Sequence, residues 1–227
     1  MKHFFLLVLI SQFVCLCGVF AQKKISVLGD SYSTFAGKVT PSYNAVWYYG
    51  GEKARKDNDV HQVEQTWWHL LATENGYEIE VNNSYSGSTV CCTGYEGKDY
   101  SDRAFITRTL NLGNPDIILV FGGTNDSWAG APIGDYLFSG WTKPHLYTFR
   151  PAFAYMLESL KQSYPAARIV NITNSELKPE ITTSMEVICR HYGITNVLLK
   201  DVEKQQGHPS IKGMMAICKQ VRAVLEE

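Results

Sequence analysis

Five short apolar runs, separated by stretches of helical periodicity, do most to restrict the fold of this chain. The runs are Lys24–Leu28, Tyr77–Val81, Asp116–Phe121, Arg168–Ile172 and Thr195–Leu199. The third, DIILVF, is apolar on successive residues, the pattern of a strand covered on both faces. Between the runs, Val60, Val63, Trp67, Leu70 and Leu71 recur at helical spacing, with Asp59 placed as an N-cap and Gly76 as a stop. Phe153, Met156, Leu157 and Leu160 repeat the pattern between Pro151 and Pro165. Ile211, Met214, Met215, Cys218 and Val221 do so again after Ser210. This alternation predicts an α/β protein, a three-layer α/β/α sandwich around a five-stranded parallel sheet with flavodoxin-like strand order.

The opening MKHFFLLVLISQFVCLCGVFA has a basic start, an apolar stretch and a Val19-Phe20-Ala21 ending. That is the pattern of an export signal cut near Ala21. Ser11, Gln12 and Gly18 interrupt the stretch and disfavour a membrane anchor. Cys15 and Cys17 follow Val14 and Leu16, not the small residue of a lipid-attachment site. Residues 22–227 then read as one domain in a secreted or periplasmic setting, undivided by any linker or repeat. With 21 Lys and Arg against 22 Asp and Glu and no basic cluster, a nucleic-acid partner is not expected. No stable membrane anchor is expected either. Cys189 and Cys218 fall on helical apolar faces as buried thiols, and Cys91-Cys92 is an adjacent pair. No spacing resembles a zinc site, and no metal or other cofactor is expected. Asn-x-Ser/Thr occurs at Asn82 and Asn171, both in predicted strand ends.

In ISVLGDSYS the first run breaks off at Gly29, Asp30 and Ser31, and such residues alone read as a turn. Three other stretches follow predicted strands on the same edge: NNSYSGST after the second, FGGTND after the third, and GHPS just before the last helix. Sheets of this kind bind ligands at the carboxyl ends of their strands. In order and spacing the four stretches resemble the sequence blocks of the SGNH (GDSL-type) hydrolase superfamily, over essentially all of residues 22–227. Ser31 matches the block-one serine, Gly87 the block-two glycine, Asn125 the block-three asparagine and His208 the block-five histidine. The resemblance implies a catalytic pair, Ser31 as nucleophile and His208 as base. It also implies an oxyanion hole from the backbone N–H groups of Ser31 and Gly87 and the side-chain amide of Asn125. The chemistry is coherent in itself. A serine hydroxyl needs a base, and imidazole has a suitable pKa; an oxyanion needs donors already aimed at it.

One position departs from the family pattern. The usual last block is D-x-x-H, but Gln205 stands three residues before His208. Asp201, Glu203, a backbone carbonyl or Gln205 itself could orient the imidazole, and Asp201 is favoured among the acids because it follows the fifth run. Asp30 and Asp126 could pass for a glycosidase pair, but beside these motifs they read as supports for the turns. His61 and His69 are awkwardly spaced for two ligands on one helix face. Two long segments, about 32–58 and 127–150, carry many aromatics, either packing on themselves or walling a substrate site. The expectation is an exported serine esterase or acylhydrolase that takes a small-molecule or carbohydrate ester, deacetylation of a carbohydrate being one form. The rival is a glycan-binding protein without activity on a degenerate scaffold of the same family.

Overall fold

The computed structural model describes residues 22–226, so the expected leader lies outside the described residues. The five apolar runs form β1 (Lys24–Gly29), β2 (Glu78–Ser84), β3 (Ile117–Gly122), β4 (Arg168–Thr173) and β5 (Thr195–Leu198). They pair in the order β2-β1-β3-β4-β5, and every pair is parallel. This is the flavodoxin-like order, whose direction reverses between β1 and β3 and opens a crevice at their carboxyl ends.

Helices cover both faces: α1 (Trp67–Asn75), α4 (Phe149–Ser163), α5 (Pro179–Tyr192) and α6 (Ile211–Leu225), with the short α2 (Phe105–Arg108) and α3 (Thr124–Ala129). A small antiparallel hairpin, β6 (Lys204–Gln205) and β7 (His208–Pro209), precedes α6. The successive apolar residues of β3 serve two cores. Ile118 and Val120 pack with α4 and α5, while Ile117, Leu119 and Phe121 pack with α1 and α6. Each such side chain, when fully buried, contributes about 1.5–3 kcal/mol.

Two local expectations need correction. The helix placed at 59–75 begins as α1 only at Trp67, after a 3₁₀ turn at Val63–Gln65. Asp59 is no cap for it, because its carboxylate accepts from the Ile211 N–H at 2.8 Å, at the start of α6. The aromatic segments divide between the two readings. Trp141 packs on Tyr155, Phe138 stacks on His191 and Tyr48 is buried, whereas Trp47 and Trp128 approach His208. Cys91, Cys92, Cys189 and Cys218 are free and buried, and Asn82 and Asn171 are buried in their strands. Among the described residues no helix is long and apolar enough to cross a membrane.

Candidate active site

β1 ends at Gly29, where any Cβ would lie 2.5 Å from Ser84 Oγ and 2.7 Å from Ser33 Cβ, so only glycine lets the chain turn there. Asp30 then caps a 3₁₀ turn at Ser31–Ser33 by accepting the Tyr32 N–H at 3.0 Å. The turn lifts Ser31 to the strand end with its N–H donating to no described residue.

The hairpin brings the histidine to it. His208 Nε2 lies 3.0 Å from Ser31 Oγ, across 177 residues of chain. Nδ1 faces the Gln206 carbonyl oxygen at 3.0 Å. That geometry makes Nδ1–H the donor and leaves Nε2 to accept from the hydroxyl. None of the candidate side chains holds the ring. Asp201 is exposed, Glu203 binds Ser210 and Lys212, and Gln205 exchanges two bonds with Asp59 at 2.8 and 3.2 Å. The backbone carbonyl of the open alternatives is the one present.

The hairpin is pinned to the Ser31 side by hydroxyls and an amide. Tyr32 donates to the Gly207 carbonyl at 2.5 Å; Tyr48 and Asn58 donate to the Pro209 carbonyl at 2.9 and 3.2 Å. His208 is 8% exposed, and burial pushes its pKa down to about 4, against the raising effect of the Gln206 carbonyl. The imidazole is therefore neutral at neutral pH and free to take a proton.

Gly87, in the loop after β2, has φ +81, a left-handed conformation that disfavours a side chain, and nothing lies within 4 Å of where a Cβ would stand. Its N–H also donates to no described residue. Asn125, in the first turn of α3, donates one amide hydrogen to the Ser88 carbonyl at 3.0 Å and accepts from the Tyr95 hydroxyl at 2.8 Å. Its second amide hydrogen is uncommitted. Asp126 accepts from the Val90 and Cys91 N–H groups at 2.8 and 3.2 Å, which ties the Gly87 loop to α3. Asp30 and Asp126 thus support turns, as expected for them.

Three contributors were not legible as such in the sequence: Arg108, Tyr95 and Trp47. Arg108 is buried beneath the strand ends and donates to the Gly29 and Asn83 carbonyls and to Ser88 Oγ. It fastens the Ser31 turn to the glycine loop. Tyr95 orients Asn125, and Trp47 stacks on His208 with ring centroids 3.7 Å apart and planes 8° apart. Trp47 sat among many loop aromatics, Tyr95 lies outside both aromatic segments, and nothing around Arg108 in AFITRTL signals its partners.

A hydroxyl in contact with a neutral imidazole is equipped for acyl transfer, and Ser31, Gly87 and Asn125 each keep an N–H that no described residue accepts. Residues 23–225 match the family model described as GDSL-like lipase/acylhydrolase. The chain belongs to that family. As a GDSL-like hydrolase it has close structural relatives. The GDSL-like lipase of Bacteroides uniformis is 65% identical with a TM-score of 0.88, the match covering 90% of this chain and 96% of that one. The GDSL-like lipase of Bacteroides ovatus is 52% identical with a TM-score of 0.89, covering 91% and 99%. A family two carbohydrate esterase from Clostridium thermocellum, solved with cellohexaose, shares the fold at 15% identity and a TM-score of 0.60, over 90% of this chain and 63% of that one. No curated protein matches the chain.

Proposed function

We propose that this GDSL-like hydrolase is an exported serine esterase working through a Ser31–His208 dyad. The 3.0 Å contact between Ser31 Oγ and His208 Nε2 carries the reading. His208 takes the hydroxyl proton as Ser31 attacks the ester carbonyl. The tetrahedral oxyanion is held by the N–H groups of Ser31 and Gly87 and the free amide hydrogen of Asn125. His208 then returns the proton to the departing alcohol, leaving an acyl-serine that water, deprotonated by the same imidazole, hydrolyses. A neutral carbonyl fixes the tautomer of His208 but stabilises the imidazolium less than a carboxylate would.

The alcohol half is read as a carbohydrate. Trp128 is 46% exposed, its ring centroid lies 5.9 Å from that of His208, and its edge borders Gly207, so it offers exposed aromatic surface next to the imidazole. Trp47 is not open in this way, its ring being occupied by His208 at 3.7 Å and by Arg55 at 4.4 Å. The fold likeness to a carbohydrate esterase is compatible with this choice but does not carry it. Export rests on the leader-like residues 1–21.

A fluorophosphonate probe and p-nitrophenyl acetate test the reading together. Wild type should be labelled and active, and Ser31→Ala should be neither. An unlabelled, inactive wild type that binds oligosaccharides would favour the glycan-binding alternative.

A further inference from the structure

His208 is oriented through Nδ1 by a carbonyl of its own hairpin, two residues away, so this bond alone lets imidazole and loop move together. Something outside the hairpin has to hold the plane of the ring. Trp47 lies flat against it, at 3.7 Å and 8°. The backbone of Trp47 is registered to the nucleophile: its N–H donates to Thr34 Oγ1 at 2.9 Å, and that hydroxyl donates to the Ser31 carbonyl at 2.9 Å. One residue is therefore linked to both halves of the dyad, to Ser31 through the Thr34 hydroxyl and to His208 by its ring.

The indole is itself braced. The Arg55 guanidinium carbon sits 4.4 Å from the Trp47 ring centroid. Two groups this close to one ring cannot share a face, so Arg55 and His208 sandwich the indole. Arg55 is in turn clamped by Asp57 through two bonds of 3.0 Å. The ionisable groups facing His208 are Ser31, Tyr32, Tyr48, Arg55 and Asp57, of which only the last two carry charge at neutral pH.

We infer that Trp47 is a positioning residue for His208, fixing the imidazole plane in place of the missing carboxylate, with the Arg55–Asp57 pair bracing the indole from its other face. The inference rests on His208 being the base. The indole also presents its electron-rich face to the imidazolium formed when Ser31 gives up its proton, a favourable contact for a cation. Arg55, roughly 8 Å from the imidazole across the indole, opposes that charge, and Asp57 partly cancels the opposition.

The test uses Trp47→Phe, Trp47→Leu and Arg55→Gln in the full chain. With p-nitrophenyl acetate, Trp47→Leu should lower kcat about 10²-fold, within the range of a lost general base, with KM little changed. Trp47→Phe, which keeps a flat ring, should recover most of that loss. Equal losses in Phe and Leu, or wild-type kcat in Leu, would overturn the inference. His208 is also followed by NMR in a Ser31→Ala background, where no turnover is needed. Its ring protons should lose their ring-current shift in Trp47→Leu. In Arg55→Gln the imidazole pKa should rise by about half a unit or more, as removal of a cation at this distance requires. An unmoved spectrum in both variants overturns the stack whether or not the enzyme reading stands. An inactive wild type with the expected shifts overturns only that reading.

Discussion

His208 Nδ1 meets the Gln206 carbonyl oxygen at 3.0 Å, a bond closed inside the Lys204–Pro209 hairpin by a two-residue turn, Gln206 and Gly207, whose backbone is left-handed with φ of 50° and 72°. The hairpin curls so that the oxygen looks back at the ring. Its outer bonds, from Tyr32, Tyr48 and Asn58, hold that curl against the nucleophile turn. The imidazole is thereby hydrogen-bonded to neutral groups alone, and burial is the largest influence on its pKa, with Arg55 and Asp57 acting in opposite senses.

The first prediction is an acidic limb far below neutrality. Burial depresses the His208 pKa from an ordinary 6.5 to about 4. A base acts only when unprotonated, so activity should persist as pH falls to about 5 and decline through about 4. The measurement is kcat/KM for p-nitrophenyl acetate against pH. A limb centred between 6 and 7 would show that a charged partner reaches Nδ1 in solution.

Restoring the family aspartate should not restore a triad. Gln205 is turned away from His208, donating from Nε2 to Asp59 at 3.2 Å and accepting the Asp59 N–H at 2.8 Å. Gln205→Asp would set two carboxylates against each other where Asp59 also holds the Ile211 N–H at 2.8 Å. Thermal unfolding should report a loss of about 1 kcal/mol, the scale of a broken hydrogen bond with an added like-charge contact. No gain in kcat should accompany it. A faster, equally stable variant would refute this placement.

Why these relationships escaped the sequence is plain from the residues involved. The strands announced themselves because they are short apolar runs, most plainly β3, which is buried on both faces and carries apolar residues in unbroken series. Ser31, Gly87, Asn125 and His208 were legible because each ends or follows such an element in an ordered set of short motifs. Asp59 was misread because a cap and a distant hydrogen-bond acceptor look alike, and its partners Gln205 and Ile211 are about 150 residues away. The short α3, TNDSWA, has no apolar repeat to announce it, and only the apolar face bearing Cys189 hinted at α5. Trp47 could not be told from Tyr43, which is 82% exposed, since both are aromatics in one loop. Local pattern records periodicity and burial; it does not record which loop residue meets which.

Tyr95 should matter to turnover more than to binding. Its hydroxyl donates to Asn125 Oδ1 at 2.8 Å, and with the bond from Nδ2 to the Ser88 carbonyl at 3.0 Å it fixes both ends of the amide. Tyr95→Phe keeps the ring and removes the donor. The amide then loses its preferred rotation, and kcat should fall roughly tenfold, the equivalent of one net hydrogen bond. Asn125→Ala removes the proposed oxyanion donor itself and should cost about 10²–10³. Steady-state kinetics on both variants should show this order, with KM nearly constant. A Tyr95→Phe variant as slow as Asn125→Ala would mean the hydroxyl does more than orient the amide.

Asp30 should give the fold a pH dependence separate from that of activity. It is fully buried next to Ser31, and although Oδ1 accepts the Tyr32 N–H at 3.0 Å, burial raises its pKa from 3.8 to about 7. A carboxyl whose folded pKa lies above its unfolded value contributes stability that is fully present below the unfolded value. That stability is lost as pH rises through the folded one. For Asp30 the window therefore runs from about 4 to about 7. Asp126, raised to about 6 by burial, acts in the same sense, while His208, depressed to about 4, acts in the opposite one. The wild-type curve mixes all three, so the informative quantity is the difference from Asp30→Asn. The amide keeps an acceptor for the Tyr32 N–H and cannot ionise. The variant should therefore gain on wild type as pH rises from 4 to 8, on the order of 2–4 kcal/mol for a shift of this size. Chemical denaturation at pH 4, 6 and 8 measures it. Parallel curves would mean that Arg108, whose guanidinium is buried beside the same turn and donates to the Gly29 carbonyl at 3.2 Å, keeps Asp30 ionised throughout.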